Sequence, residues 1–190
     1  MAGDAQAVLQ FWFGDALPVV SRPEWFRKSD AFDREIAQRF GPLVEQALRG
    51  ELSTWNDQAD AALAQVIVLD QFTRNVFRNT PRSFAGDPQA LSAARAMLAR
   101  GEDAALPPWQ RFFVYMPLEH AEDLATQDES VRRFTQLVAA APETQDLLDY
   151  AKWHREVVAR FGRFPHRNAI LGRASTQEEI EFLTQPRSGF

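Results

Sequence analysis

Apolar residues recur three and four positions apart along almost the whole chain, the spacing of amphipathic helices, and strict alternation is almost absent. Breaks in the pattern carry the stop and start signals of helices. Asp4 precedes an apolar run that closes at Gly14. The stretch from Asp33 to Gly50 is helical in spacing, and Gly41-Pro42 predicts a kink or two pieces there. Asn56 or Asp57 is expected to cap a long helix starting near Gln58. Asp87 as N-cap, Pro88 in the first helical position and Gly101 past the end delimit another. Pro107 and Pro108 open a helix that Pro117 is expected to break or bend. Two further helices cover "DESVRRFTQLVAAA" and "ETQDLLDYAKWHREVVARF", the second closed by Gly162. Ser175 and Thr176, followed by Glu178 and Glu179, resemble a capping box for a short final helix. With no Asn-Gly or Asp-Gly hairpin signal, the expected fold is all-α without a sheet: a single domain, residues 1–190, of antiparallel helices joined by short loops. Phe-Gly recurs at 13–14, 40–41 and 161–162, a residue pair suited to helix ends.

Composition narrows the class. A chain of 190 residues, 45% hydrophobic and 25% charged, is that of an ordinary globular domain. It has no cysteine, hence no disulfide framework and no thiolate metal site. No apolar run reaches the roughly 20 residues of a membrane span, and the N-terminal stretch lacks the basic start of a signal peptide. The expectation is a cytoplasmic protein with no membrane partner. A net charge of −5 argues against nucleic acid as a partner. Only Lys28 and Lys152 are lysines; all other basic residues are arginines, whose planar fork suits carboxylates and phosphates.

Charges also fall where the pattern predicts core. From Ala61 to Phe77 the apolar residues run nearly all round the helix, yet Asp70 and Arg74 stand inside it, four residues apart, with Asn75 and Arg78 following. Inside a protein such a pair needs further partners. His120 follows the proline bend, beside Glu119. His154 shares a helix face with Tyr150, Val158 and Phe161 and is expected to point inward. The segment "RFGRFPHRNAILGRAST" (160–176) combines Phe, Pro and Gly with Arg163, His166, Arg167, Asn168 and Arg173. It reads as a packed, polar corner. Pro165 draws Phe164 towards an extended conformation, Phe161 and Phe164 reach the core, and Ile170 and Leu171 anchor the return. Arg163, Arg167, Asn168 and Arg173 are available to backbone groups that no helix satisfies. One or two donors would suffice for that. The surplus, His166 and Arg167 with Arg74 or Arg78, is expected to face a cleft for a carboxylate or phosphate. Asp70, Asn75, His120, His154, Arg163, Asn168 and Arg173 are assigned to a structural polar network. No metal motif, phosphate loop, dinucleotide fingerprint or nucleophile elbow is present, so neither a metal nor a cofactor is expected.

The stretches "VLQFWFGD", "LDQFTRNVFRNTPRSFAGD", "PLEHAED", "HREVVARFGRFPHRNAILGRASTQEE" and the closing "FLTQPRSGF" resemble the bacterial domain-of-unknown-function family numbered 924, over essentially the whole chain. The resemblance implies a tetratricopeptide-like, right-handed helical stack, although no repeat of fixed period is visible. It assigns no activity. Two functions fit the residues. One is a helical binding or scaffold module for a protein or peptide, in which the polar cluster is sealed; fold analogy favours this one. The other is an enzyme or sensor for a small anionic ligand, in which the cluster lines an open pocket with unpaired donors.

Overall fold

The computed structural model describes residues 2–186, 188 and 189; Met1, Arg187 and Phe190, which closes the family-like C-terminal pattern, lie outside them. Among the described residues every regular element is helical. α1 (Ala2–Phe13) and α2 (Asp30–Leu48) pack on a long central helix. That helix begins as α3 (Ala59–Val66), widens into a π-helical segment (Ile67–Phe72) and finishes as α4 (Thr73–Val76). α5 (Asp87–Arg100), α6 (Pro108–Glu119), α7 (Leu124–Ala140) and α8 (Gln145–Phe161) follow, and α6, α7 and α8 pack in succession as short connections require. A corner then leads to α9 (Gln177–Leu183).

The central helix is buried from Ala62 to Thr73, because α1, α2, α5 and α6 surround it. Trp12, Phe72, Phe113 and Tyr115 are among the largest side chains fully inside this core. A smaller cluster of Val157, Val158, Phe164 and Phe182 ties the corner and α9 to α8. No helix among the described residues is long and apolar enough to cross a membrane.

Several local expectations are corrected. α1 begins before Asp4, which lies in its first turn. α2 starts earlier, on Ser29, whose hydroxyl accepts from the Phe32 amide, and it passes through Gly41-Pro42 unbroken. Pro42 and Gln38, whose carbonyl loses its helical donor there, are both exposed, so water replaces the lost bond. Pro117 likewise sits inside α6, which continues to Glu119. Neither Asn56 nor Asp57 caps the central helix: both belong to a 3₁₀ turn, and Gln58 precedes the first helical residue. Asp87 is the first residue of α5, and its carboxylate serves arginines instead of the helix end. Gly14, Gly101 and Gly162 end helices in the left-handed conformation, with φ of 73°, 71° and 68°. Thr176 and Glu179 form the capping box in both directions.

The residue just before α5 packs tightly on the π segment. Gly86 packs on the backbone of Leu69: a Cβ there would be driven into the Leu69 carbonyl oxygen and would stand 2.9 Å from its carbon. The Thr73 hydroxyl donates to the same carbonyl (2.8 Å). Backbone has no rotamer by which to yield, so Gly86→Ala is expected to cost about 2 kcal/mol in urea unfolding, the overpacking range. A change within about 0.5 kcal/mol, as at an ordinary surface site, would show that α5 slides freely.

Candidate functional site

A cleft of about 390 Å³ opens between the central helix, the 23–28 loop after α1 and the C-terminal corner. Buried Trp12, Gln71, Ser83, His154 and Arg167 form its inner part, and Phe26, Arg27, Lys28 and Asn79 stand at its exposed mouth. Arg74, Asn75, Arg78, His120 and His166 also line it. The remaining walls are Trp25, Phe84, Met116 and Ile170, which are apolar, and the carboxylate-bearing Glu24.

The π segment and the turn that follows place the charges. Asp70 is 1% exposed. Its Oδ1 accepts from His120 Nδ1 (2.7 Å) and from Arg74 Nη1 (3.3 Å), and its Oδ2 from Gln71 Nε2 (2.5 Å). Burial alone would raise its carboxyl; the Arg74 and His120 contacts outweigh that and hold it well below the usual range. Arg74 also donates to the Asp70 carbonyl (2.6 Å) and pairs with Asp87 (2.9 Å). Arg78 makes a two-pronged pair with Asp33, at 2.5 and 2.8 Å, and Asn75 donates to the same carboxylate at 2.7 Å. Burial raises Asp33, and these hydrogen bonds, Arg78 first, bring it below its ordinary value.

Arg167 is different. It is 6% exposed, with its guanidinium carbon 4.7 Å from the centre of the Phe84 ring and 4.6 Å from that of Phe164. One long contact, Nη1 to Asp87 Oδ2 at 3.3 Å, is its hydrogen bond among the described residues, and Nε is buried without a partner. Asp87 is shared with Arg74. Burial, and then the neighbouring Arg74, push Arg167 down to about 10. With two aromatic rings against it and its Nε unpartnered, the planar guanidinium offers donors of the kind that pair with a carboxylate or phosphate.

The histidines stand around this seat. His120 is held neutral by burial, then by Arg74, against the pull of Asp70. His154 Nδ1 lies 2.9 Å from the Tyr150 carbonyl and 3.0 Å from Glu119 Oε1; the ring itself is buried as expected, but Tyr150, placed on the same face, is half exposed. The two imidazoles are 6.4 Å apart. Burial, and then Arg167, push His166 down to about 3.

The corner divides its arginines by task. Arg163 pairs with Glu179 (2.6 and 2.7 Å) and donates to the Ala174 carbonyl. Arg173 pairs with Glu122 (2.6 and 2.9 Å), donates to the Phe164 carbonyl and holds the Asn168 side-chain oxygen. Asn168 donates to Ser175 and Glu179, and the Phe164 amide donates to Glu122. Phe164 is fully buried, whereas Phe161 reaches only the small cluster, against Phe182. Ile170 and Leu171, expected as anchors, are only partly buried, and Ile170 lines the cleft. Arg167 serves no backbone carbonyl among the described residues. The network assigned from sequence is therefore two groups: Asp70, Asn75, His120 and His154 beside the cleft, and Arg163, Asn168 and Arg173 in the corner. Arg74, Arg78, His166 and Arg167 all reach the one cleft. Among the described residues no group of three or more acidic or histidine side chains is placed to hold a metal ion.

Sequence reasoning missed the roles of the carboxylates that organise the arginines, Asp33, Asp87 and Glu122, and of Glu119, which faces His154. It also missed the outer wall, Trp25 to Lys28, whose signal was a short aromatic and basic run, "EWFRK", outside any α-helix. These features define an all-helical protein with a half-open polar cleft beside a π-helical turn. The chain belongs to the family described as "Bacterial protein of unknown function (DUF924)", whose model matches residues 8–187. A solved structure, "Protein of Unknown Function ATU0120 from Agrobacterium tumefaciens", is similar to it at 40% identity and a TM-score of 0.84, over 96% of this chain and 97% of that one. Comparison with curated proteins gives no match.

Proposed function

We propose that the protein binds a small carboxylate or phosphate compound in this cleft, with the anion on Arg167 and Arg74 and the apolar part against Trp25, Phe84 and Met116. The observation that carries the reading is Arg167. A buried guanidinium with one long hydrogen bond is costly unless something else completes it, and the corner makes no use of it. The volume suits a small molecule. The scaffold reading, with a tetratricopeptide-like groove for a peptide, rests on fold analogy alone, whereas the open cluster favours the ligand pocket.

The reading is checked by thermal unfolding against a panel of organic carboxylates and phosphates. A ligand at one hundred times its Kd adds about 2.7 kcal/mol, which in a chain of this size raises Tm by about 5–10 °C. Arg167→Ala is expected to stay folded and to lose that response; Arg167→Lys keeps the charge but not the fork and is expected to retain little of it. If no anion raises the wild-type Tm and Arg167→Ala melts the fold, Arg167 is a structural residue and the pocket is not an anion site.

A further inference from the structure

Beyond an anion seat, the cleft holds a histidine set up to react. His120 closes α6 and is 11% exposed at its side chain. Its Nδ1 faces a carboxylate, Asp70, which as an ionised group only accepts; Nδ1 therefore carries the proton. In the neutral ring this leaves the lone pair on Nε2. No hydrogen bond among the described residues uses that atom, and His120 lines the cleft. The orientation is not incidental. Asp70 is itself fixed by Gln71 and by Arg74, which meets His120 on the same carboxylate oxygen. Arg74 then shares Asp87 with Arg167. One continuous chain of contacts thus links the base to the anion seat.

We propose that the cleft is an acid–base site in which Nε2 of His120 takes a proton from a small carboxylate or phosphate substrate seated on Arg167 and Arg74. The proposal rests on the anion-binding reading and adds the reacting group. In the step, a substrate O–H or C–H bond breaks and its electron pair stays on the substrate. The Nε2–H bond forms, and the imidazolium is stabilised by the Asp70 carboxylate until it returns the proton. Nothing is oxidised or reduced, and no co-reactant is needed. A neutral ring is the form that can accept a proton, and burial together with Arg74 keeps His120 in that form near neutral pH. His154, with its own carboxylate at Glu119, lies beside it with its ring 6.4 Å away.

Because the chain has no cysteine, haloacetates at pH 7 report mainly on histidine, with Met116 in the cleft wall as the competing nucleophile. The full-length protein is treated at pH 7 with bromoacetate and, in parallel, with neutral bromoacetamide, and the modified residue is located by peptide mass spectrometry. Nε2 attacks the methylene carbon and bromide leaves. The expected result is a single carboxymethyl group on His120, formed at least about tenfold faster than on N-acetylhistidine because the reagent's carboxylate is held beside the base. Bromoacetamide is expected to show no such acceleration. Inorganic phosphate is expected to protect, and Arg167→Ala to remove the preference for bromoacetate. A second measurement does not depend on any variant folding: ¹⁵N NMR of the imidazoles at pH 7 is expected to show His120 neutral, with its proton on Nδ1. Equal rates for the two reagents at His120, labelling confined to other residues, or a proton on Nε2 would overturn the proposal. If phosphate nevertheless raises Tm, the cleft is an anion site without this base. If phosphate and the carboxylates give no stabilisation and bromoacetate no preference, the anion seat fails with it.

Discussion

Asp70→Ala is expected to destabilise the protein by about 3–5 kcal/mol, the cost of leaving a buried cation without its partner. Asp70 joins the π segment to α6 through His120 and neutralises Arg74, whose largely buried side chain borders the cleft. Without it, Arg74 and Arg167 share the single carboxylate of Asp87, and the Gln71 amide loses an acceptor. Asp70→Asn keeps the volume and removes the charge, so it is expected to recover only part of the loss. The measurement is urea unfolding, with Glu35→Ala as reference. Glu35 pairs with Arg39 at 3.1 Å on an exposed face of α2, where such pairs are worth about 0–1 kcal/mol. If Asp70→Ala costs no more than Glu35→Ala, the polar chain beneath the cleft does not hold the helices together.

The local sequence announces the elements well and their partners poorly. Gly101 and Gly162 past helix ends, and Thr176 with Glu179, are signals complete within a few residues, so they are legible without the fold. Pro42 reads as a kink or a division into two pieces, because the pattern cannot show that the carbonyl it deprives faces water. The π segment has no comparable signature: it appears where Thr73 takes the Leu69 carbonyl and Gly86 lies against it, and Gly86 is distant in sequence. Asp87 shows the same limit most clearly. Beside Pro88 it has every feature of a helix cap, yet its role is to bridge Arg74 and Arg167, the latter 80 residues away. Two of the four residues assigned to an anion site, Arg74 and Arg78, stand out as charges in and just past an apolar helix; the other two, His166 and Arg167, follow from counting donors in a corner that needs few. Three of the corner's polar residues are consumed by Glu122, Glu179 and nearby backbone, and His166 and Arg167 are what is left to line the cleft.

Acid is expected to destabilise the protein in two stages, and the first belongs to histidine. His166 titrates near 6.5 in an unfolded chain, but burial and Arg167 push it down to about 3 in the folded one. Between those values the unfolded state binds a proton that the folded state refuses. Stability is therefore complete above pH 6.5 and falls as the pH drops towards 3. By pH 5 this one site is expected to remove about 2 kcal/mol, and His120, also lowered by burial and Arg74, acts in the same direction. The second stage comes from carboxylates. Glu179 is held at about 2, first by its Arg163 hydrogen bonds, and Glu122 below its ordinary value, where Arg173 and the Phe164 amide outweigh burial. Their contribution is present above about pH 4.5 and is lost below it, as the pH falls through the folded values. Chemical unfolding at intervals from pH 8 to 3.5 separates the stages. In the wild type, stability is expected to decline already between pH 6.5 and 5, where carboxylates hardly titrate. His166→Asn, which has no charge to gain, is expected to flatten that part of the curve and leave the steeper fall below pH 4.5 in place. A wild-type curve that is level down to pH 5 would mean that His166 reaches solvent easily, and would also remove burial beside Arg167 as a description of the inner cleft.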